Sequence, residues 1–283
     1  MTLVPLRRIL IEPFVRGALL EDLGRAGDLT TDLIVPLEVR ARAALVARES
    51  GVVAGLDLAK LAFELIDPEI AVKVAANDGT VVAPGDEIAR ISGPARGILT
   101  AERTALNFLG HLSGIASVTA SIVEAVRGTK AKIVCTRKTT PGLRAVEKYA
   151  VRAGGGANHR FGLDDALLIK DNHVAIAGGV VPALRRARAG VGHLVKIEVE
   201  VDTLDQLREA LGEGADAVLL DNMSLEMLAE AVAIVDGRAI TEASGRVTPK
   251  SAPSIAATGV DLISIGWLTH SAPVLDIGLD FEA

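Results

Sequence analysis

Aromatic residues make up only 2% of this 283-residue sequence, and cysteine occurs once, as Cys135. With so few aromatic side chains, the core must be built from Ala, Val, Leu and Ile, a supply that suits buried parallel strands covered by helices. The scarcity of aromatics also argues against binding single-stranded nucleic acid, which relies on aromatic stacking. A lone cysteine cannot form an intramolecular disulfide, so we expect a reducing, cytoplasmic compartment.

An excess of positive charge is also lacking, because the formal net charge is −6. This balance argues against a general affinity for DNA, RNA or anionic membranes, and we expect neither nucleic-acid nor membrane partners. No uninterrupted apolar run is long enough to cross a bilayer. The run after Arg7 and Arg8 ends at Glu12 and Pro13, too soon for a signal peptide. Any anion bound here must therefore meet a local cluster of positive side chains.

The first hundred or so residues differ in pattern from the rest. A loop is predicted at 24–32, and alternating polarity at 41–48 is typical of a half-exposed antiparallel strand. Turn signals within 73–99 resemble the small fold of biotin- and lipoyl-carrier domains. No lysine stands at the hairpin tip, so we interpret this segment as a structural module. A helix is predicted over 100–127, with Thr100 as its N-cap.

After residue 130, short apolar runs alternate with helical stretches. The runs lie at 132–136, 166–170, 194–201, 217–221, 238–242 and 261–265. Strand followed by helix, repeated, is the signature of βαβ units and a parallel sheet. Six such units favour a closed α/β barrel. The alternative is an open, doubly wound sheet, but it would want a GxGxxG loop after its first strand, and none is present there.

Charged or glycine-rich residues follow every one of these runs, and the site of an α/β barrel lies at the carboxyl ends of its strands. In the third run, Lys196, Glu198 and Glu200 share one strand face, while the other face is apolar. Because the covering helices need the apolar face, the charged face is predicted to point inward. An internal ion-pair network is the alternative, but ionisable groups gathered in a barrel mouth favour a ligand or metal.

The charged residues at the run ends divide into two sets. The acidic set, Glu200 and Asp221, suits Mg²⁺ bound together with substrate phosphates. Backbone N–H groups near Ser244, Gly245 and Gly266 could hold a phosphate. The cationic set, which suits carboxylates and phosphates, consists of Arg137, Lys138, His159, Arg160 and Lys170, with Arg103 a further candidate. Together they predict a polyanionic substrate, a divalent cation and a second anionic partner.

Several motifs, in order along the chain, resemble the quinolinate phosphoribosyltransferase family. They are GDLTT at 27–31, ERTALN at 102–107, TRKTTPGLR at 136–144, GGGANHR at 154–160, LIKDNH at 168–173, EVE at 198–200, LDN at 220–222 and LTHS at 268–271. The match runs nearly end to end, and the ordered set is highly specific.

The resemblance implies an α/β fold of two domains. An N-terminal α/β sandwich would cover residues 1–112, joined by the C-terminal tail 272–283. An open or irregular α/β barrel would cover residues 113–271. Members work as homodimers or larger homo-oligomers, and the resemblance implies that Arg103 enters the site of a neighbouring subunit.

The resemblance also implies the reaction and the roles of the matching residues. Phosphoribosyl pyrophosphate and quinolinate would give nicotinate mononucleotide, carbon dioxide and pyrophosphate, a step of de novo NAD biosynthesis that needs only Mg²⁺. The cationic set would hold the two carboxylates of quinolinate and part of the phosphoribosyl pyrophosphate. Glu200 and Asp221 would face the ribose and its Mg²⁺. The 5′-phosphate would be bound by Ser244, Gly245, Arg246, Ile265 and Gly266.

Two residues beside the expected phosphate site depart from the family pattern, and other functions remain as alternatives. Arg246 stands where the family usually has glycine, and Trp267 where it usually has a small residue. Rival functions are those of a related barrel protein associated with molybdenum transport, a nicotinate phosphoribosyltransferase, and a non-catalytic metabolite sensor. Lys170 as a Schiff-base lysine and Cys135 as a nucleophile are less favoured, since the surroundings of Lys170 suit anions and the chemistry needs no thiol.

Overall fold

The computed structural model describes residues 3–282 of the chain. The elements of its first 125 residues are, in order, α1 (Arg8–Leu23), α2 (Leu29–Ile34), β1 (Arg40–Ala47), β2 (Gly51–Val52), α3 (Leu56–Ile66), β3 (Ala71–Val74), β4 (Val81–Val82), β5 (Glu87–Pro94) and α4 (Ala95–Ala125). They are followed by β6 (Lys132–Val134), α5 (Arg144–Ala153), β7 (Leu167–Ile169), α6 (Asp171–Ala177), α7 (Val180–Gly190), β8 (Ile197–Val201), α8 (Leu204–Gly212), β9 (Ala217–Asp221), α9 (Leu225–Val235), β10 (Ile240–Ser244), α10 (Ala252–Ala257), β11 (Leu262–Ser264), α11 (Trp267–His270) and β12 (Ile277–Phe281).

The chain forms two compact units that are not continuous in sequence. Unit 1 comprises the residues up to Ala120, Thr139–Gly155 and the residues from Leu268 onward. Unit 2 comprises Ser121–Lys138 and Gly156–Trp267. Helix α5 therefore belongs to unit 1, although the sequence grouped all of 113–271 together.

Unit 1 is built on a four-stranded antiparallel sheet in the order β12-β1-β5-β3. Strand β12, close to the end of the chain, pairs with β1, with Ala43 opposite Phe281 and Ala47 opposite Ile277. Leu45, Phe63 and Ile91 are fully buried in this unit. Burying an aliphatic or aromatic side chain of this size contributes about 1.5–3 kcal/mol, so each of these residues stabilises the unit.

The turn at Asp78 fastens the beginning of α3. Its carboxylate accepts hydrogen bonds from the N–H groups of Gly55 and Leu56, at 3.1 and 3.2 Å, and from the Tyr149 hydroxyl at 2.7 Å. These bonds satisfy N–H groups that a helix start leaves unpaired. Burial nonetheless raises the pKa of Asp78.

Two sequence predictions in this region are wrong in detail. Residues 24–32 are not all loop, because the Asp28 side chain accepts a hydrogen bond from Thr31 N–H at 3.0 Å and starts α2. Thr100 is not an N-cap, because α4 already begins at Ala95. The Thr100 hydroxyl instead donates to Asp28 at 3.1 Å.

Helix α4 is long and apolar enough to cross a membrane by length and composition alone, although the sequence contains no uninterrupted apolar run of that length. The apolar window of this helix is 56% buried inside the protein. A core helix of a soluble protein passes the same test, so this feature is weak evidence for a membrane span.

Unit 2 contains a six-stranded parallel sheet in the order β6-β11-β10-β9-β8-β7. From β7 to β11, strands that are consecutive in sequence are neighbours in the sheet, and β6 lies beside β11 at the other edge. This one-way order is that of a barrel, because a doubly wound sheet reverses direction in its middle. Among the described residues β6 and β7 do not pair, so the predicted open barrel is confirmed and the closed form is wrong.

Alternation along β8 explains how charged side chains reach the inside of this sheet. Ile197, Val199 and Val201 are buried beneath α7 and α8, and Glu198 and Glu200 stand on the opposite face. The predicted inward face is therefore correct for the two glutamates. It is wrong for Lys196, which precedes the strand, is 78% exposed and pairs with Asp216 at 2.7 Å.

Candidate active site

The cationic residues predicted in unit 2 lie at the carboxyl ends of β6 and β7 and in the segment before β7. Arg137 and Lys138 follow β6, and Lys170 follows β7 directly. The Arg160 guanidinium donates from Nη1 to the Ala166 carbonyl at 3.2 Å, while its buried Nε has no hydrogen-bond partner among residues 3–282. Burial and then the nearby Arg137 charge lower the Arg160 pKa. Two guanidinium groups held close together, one of them incompletely hydrogen-bonded, suit an anionic ligand.

The acidic pair lies at the carboxyl ends of the neighbouring strands β8 and β9. Glu200 accepts a hydrogen bond from Lys170 Nζ at 3.0 Å, and its side chain is only 10% exposed. Asp221 accepts from Asn222 Nδ2 at 2.5 Å. Each carboxylate thus has one oxygen engaged by its protein neighbour, and the predicted residues of both sets meet at one edge of the sheet.

The loops predicted to bind phosphate lie at the ends of β10 and β11, and each contains a glycine where a Cβ would crowd a neighbouring side chain. Gly245 has φ +105°, and a Cβ there would lie 2.3 Å from Asn222 Oδ1. A Cβ on Gly266 would lie 2.7 Å from Lys138 Cδ. The two loops are joined where the Trp267 indole N–H donates to the Val247 carbonyl at 2.8 Å. Trp267 is thereby held against the loop after β10.

Ile265, one of the predicted phosphate ligands, has its side chain and its backbone N–H engaged within the protein. The Ile265 side chain is buried, and its N–H donates to the Val134 carbonyl at 3.0 Å. The physical reason is that Ile265 continues the pairing of β11 with β6 by one residue. Ser244, Gly245, Arg246 and Gly266 remain at the strand ends, and Arg246 is exposed with a left-handed backbone at φ 47°.

His159 lies beside two glutamates, Glu198 and Glu242, neither of which was among the predicted site residues. Its Nε2 lies 2.9 Å from Glu198 Oε2 and 3.6 Å from Glu242 Oε2, and its Nδ1 accepts the Arg160 N–H at 2.7 Å. Both ring nitrogens are therefore engaged by the protein. Glu242 was missed because the apolar run was taken to end there, whereas β10 continues to Ser244. The alternation of side chains that placed Glu198 on the inner face of β8 would also have placed Glu242 on the inner face of β10.

Arg103 and several other polar residues have distinct settings. Arg103 is exposed on α4 in unit 1. His111 bonds Glu147 at 3.0 Å, and His173 Nδ1 accepts the Lys170 N–H at 2.9 Å, bracing the start of α6. Cys135 is buried, with its Sγ 3.4 Å from Asn158 Oδ1, as expected for a packing residue rather than a nucleophile.

An open, singly wound parallel barrel with cationic and acidic groups gathered at its strand ends defines the class: an α/β-barrel enzyme acting on anionic substrates. Residues 28–113 match the family profile described as "Quinolinate phosphoribosyl transferase, N-terminal domain", and residues 115–280 match that of its C-terminal domain. The chain therefore belongs to the quinolinate phosphoribosyltransferase family.

Individual relatives support the same assignment. The nicotinate-nucleotide pyrophosphorylase (carboxylating) of Mycobacterium leprae is 49% identical over 94% of this chain and 95% of its own. A probable enzyme of the same name from Bacillus subtilis is 45% identical over 92% of this chain and 90% of its own. The solved structure of nicotinate-nucleotide pyrophosphorylase from Francisella tularensis has a TM-score of 0.95 and 39% identity, covering 100% of this chain and 99% of its own. The predicted fold and the predicted activity, decarboxylating phosphoribosyl transfer to quinolinate in NAD biosynthesis, are confirmed.

Proposed function

We propose that the carboxyl edge of the unit 2 sheet is the active site, where quinolinate and phosphoribosyl pyrophosphate bind side by side. The observation that carries this proposal is the division of charge along one edge. Cationic groups follow β6 and β7, and a carboxylate pair lies at the carboxyl ends of β8 and β9. The quinolinate dianion needs the cationic groups, and the ribose, which becomes positive during the reaction, needs the carboxylates.

Quinolinate would lie against the cationic end. Arg137, Lys138, Arg160 and Lys170 would hold its two carboxylates and part of the phosphoribosyl pyrophosphate. The unpartnered Nε of Arg160 supports this role, since a guanidinium bonds a carboxylate through parallel N–H groups. His159, whose ring nitrogens bond Arg160 N–H and Glu198, would belong to the site as the support of Arg160 rather than as a direct anion ligand.

The ribose would lie above Glu200 and Asp221. Breaking the bond between ribose C1 and pyrophosphate leaves positive charge on the sugar and places the bonding electrons on the leaving pyrophosphate. The two carboxylates would stabilise the sugar, and Lys170, held by Glu200, would face the leaving group. The quinolinate nitrogen then forms the new bond to C1. The resulting pyridinium accepts the electron pair of the 2-carboxylate as carbon dioxide leaves, and C2 takes up a proton.

The same acidic pair fits the divalent cation that the family implies. Glu200 Oε1 and Asp221 Oδ1 make no hydrogen bond within residues 3–282, so each carboxylate has an oxygen to offer. Hard carboxylate oxygens, few in number, are what Mg²⁺ prefers when it is shared with substrate phosphates. When bound, Mg²⁺ would supply positive charge to the pyrophosphate.

The 5′-phosphate would bind at the ends of β10 and β11. Gly245 and Gly266 allow a ligand to approach the backbone closely, and Ser244 adds a hydroxyl. Arg246 would add a positive charge that glycine could not supply. The Trp267 indole is held by its N–H against the Val247 carbonyl. This contact supports the expectation that the protein stays active although Trp267 replaces a small residue.

The assembly and the compartment complete the proposal. The protein would act in the cytoplasm as a homodimer or larger homo-oligomer, with Arg103 of one subunit completing the site of another. The exposure of Arg103 on α4 supports this role, because an exposed arginine is available to another chain.

Equilibrium binding tests the quinolinate site without turnover. We expect quinolinate to bind more tightly than nicotinate, which has one carboxylate fewer. Arg160→Ala should weaken quinolinate binding by about 10- to 100-fold, as expected for loss of a charged hydrogen bond. Arg208→Ala, which removes an exposed arginine paired with Asp205, is the matched control and should leave binding unchanged. Equal affinity for the two ligands, or no effect of Arg160→Ala, would contradict the proposal.

A further inference from the structure

Three ionisable side chains of unit 2 form a cluster in which Glu242 is buried and the side chains of His159 and Glu198 are 13% and 12% exposed. His159 Nε2 lies between Glu198 on β8 and Glu242 on β10, at 2.9 and 3.6 Å from their nearest oxygens. Glu242 is only 1% exposed, and neither of its oxygens makes a hydrogen bond of normal geometry to any described residue. A buried, ionised carboxylate in that condition would be costly, so its state needs an explanation.

The protonation state of His159 follows from its two contacts. Nδ1 accepts the backbone N–H of Arg160 at 2.7 Å, so Nδ1 carries no proton. The proton of the neutral ring must then be on Nε2, where it is donated to Glu198. An imidazolium is excluded by this geometry, because it would direct a second N–H at the Arg160 N–H.

Among the residues that the structure describes, only His159 could offer Glu242 a positive charge, and the hydrogen bond from Arg160 N–H to its Nδ1 leaves that ring neutral. The titratable groups that face Glu242 are Glu198 and the neutral His159, and Ser264 adds a hydroxyl from β11. Its register partners are Leu219 on β9 and Leu262 on β11. Helix α9 packs on the opposite face of β10. Burial first, and then the Glu198 charge, raise the Glu242 pKa to about 7.

The same three residues could be taken for a metal site, since their ligand atoms all lie within 4.8 Å of one another. The tautomer argues otherwise. A metal needs the lone pair of Nε2, but Nε2 carries the proton as long as Nδ1 accepts from Arg160. The geometry therefore favours a proton in this cluster.

We propose that Glu242 is a positioning residue that acts as a neutral carboxylic acid. While Glu242 stays protonated, Glu198 is the only ionised carboxylate beside His159 in the described residues, and it accepts the Nε2–H. His159 then keeps Nδ1 on the Arg160 N–H, and Arg160 stays aligned for a substrate carboxylate. Arg160 as the carboxylate ligand rests on the proposed function.

Ionisation of Glu242 would undo this arrangement. A second carboxylate beside Nε2 favours an imidazolium, which cannot accept the Arg160 N–H and would release it. The added negative charge beneath the cationic residues would also oppose a bound dianion. Quinolinate binding should therefore weaken as pH rises through neutrality.

Quinolinate affinity measured by calorimetry from pH 6 to 8.5 tests the proposal. In the wild type the dissociation constant should rise about five-fold between pH 7 and 8, following the falling fraction of protonated Glu242. Glu242→Gln, which keeps the shape of the neutral acid, should bind like the wild type at pH 6 and lose this dependence. Glu242→Ala, which also removes the second carboxylate, should likewise lose this pH dependence. Glu213→Gln, at an exposed ion pair with Arg185, is the control and should follow the wild type.

The tautomer of His159, read by ¹⁵N NMR without substrate, separates this proposal from the proposed function. An Nε2–H ring in the wild type and in Glu242→Gln is expected. The proposal is overturned if Glu242→Gln binds more weakly than the wild type at pH 6, if its pH dependence matches that of the wild type, or if the His159 ring is an Nδ1–H tautomer. Stoichiometric Zn²⁺ binding that Glu242→Gln abolishes would also overturn it. Absence of quinolinate binding with the expected tautomer would instead contradict the proposed function.

Discussion

Three non-glycine residues among those described adopt a left-handed backbone, and two of them, Asn222 and Arg246, lie at the carboxyl edge of the unit 2 sheet. Asparagine tolerates this conformation, but a long side chain such as arginine rarely adopts it. Arg246 therefore stands at a strained position, and a strained residue at a strand end points to a function that compensates for the strain.

Replacing Arg246 by Asn should separate charge from backbone conformation, because Asn accepts the left-handed region. We expect the KM for phosphoribosyl pyrophosphate to rise by up to about tenfold with little change in kcat, since a charge-assisted hydrogen bond contributes on the order of 1.5 kcal/mol. Arg246→Lys should retain most of the affinity. Steady-state kinetics measure both. An unchanged KM in Arg246→Asn would show that the arginine does not bind the phosphate.

The Lys170–Glu200 pair places one carboxylate of the expected site beside a lysine, at 3.0 Å. Glu200→Gln preserves shape and hydrogen bonding but removes the negative charge facing the developing positive sugar. We expect kcat to fall by about 10²-fold, the usual effect of losing one preorganised charge contact, with little change in thermal stability. Asp205→Asn, at a residue 93% exposed in an ion pair with Arg208, should leave kcat unchanged. Equal kcat values for the two variants would remove Glu200 from the mechanism.

At the scale of elements, the loops after β10 and β11 are fixed by close packing. Gly245 has no room for a side chain, since a Cβ would also lie 3.0 Å from the Asn222 backbone nitrogen. The bond from Trp267 to Val247 then holds the second loop to the first. The expected phosphate site thus depends on the backbone of these two strand ends.

Gly245→Ala should destabilise the protein and weaken phosphoribosyl pyrophosphate binding, because both the left-handed φ and the clash oppose a Cβ. A cost of about 1–3 kcal/mol in the free energy of unfolding is expected. Gly190→Ala is the matched control, because its Cβ would meet nothing within 4 Å at a helix end. Chemical denaturation of both variants checks this. A Gly245→Ala variant as stable as the control would show that the loop can move freely.

Several elements could be predicted from sequence because their own residues determine them. Helix α9 lies between two of the predicted strands, as the alternation of strand and helix requires, and Ser224 caps it by accepting the Met227 N–H at 3.3 Å. The inward face of β8 followed from simple alternation. The start of α4 could not be predicted from Thr100, because burial of Ala95 and Ile98 extends the helix backward. The protonation state of Glu242 could not be predicted either, because it depends on residues from two other strands and a loop.

At the scale of the whole molecule, the two compact units each draw on distant parts of the chain. Sequence patterns show local periodicity, so they could not reveal that α5 belongs with unit 1. Pairing of β12 with β1 unites the first and last strands in one sheet. The residues of the expected site are correspondingly divided, with Arg103 in unit 1 and the cationic cluster in unit 2.

Mixing two inactive variants tests whether subunits share a site. Arg103→Ala and Lys170→Ala should each be nearly inactive alone. When they are mixed and allowed to exchange subunits, random pairing into dimers should restore about a quarter of the wild-type activity, because half of the dimers carry one intact site. A double variant, Arg103→Ala with Lys170→Ala, mixed in the same way with either single variant, is the control. No recovery despite proven exchange would place Arg103 outside a neighbour's site.

The most direct test of the central claim is turnover by the purified protein with quinolinate, phosphoribosyl pyrophosphate and Mg²⁺. A parallel reaction contains nicotinate in place of quinolinate. Decarboxylating phosphoribosyl transfer to quinolinate predicts one nicotinate mononucleotide, one carbon dioxide and one pyrophosphate for each quinolinate consumed, and no product from nicotinate. A folded protein that makes no product from quinolinate, or that makes product equally well from nicotinate, would contradict that claim.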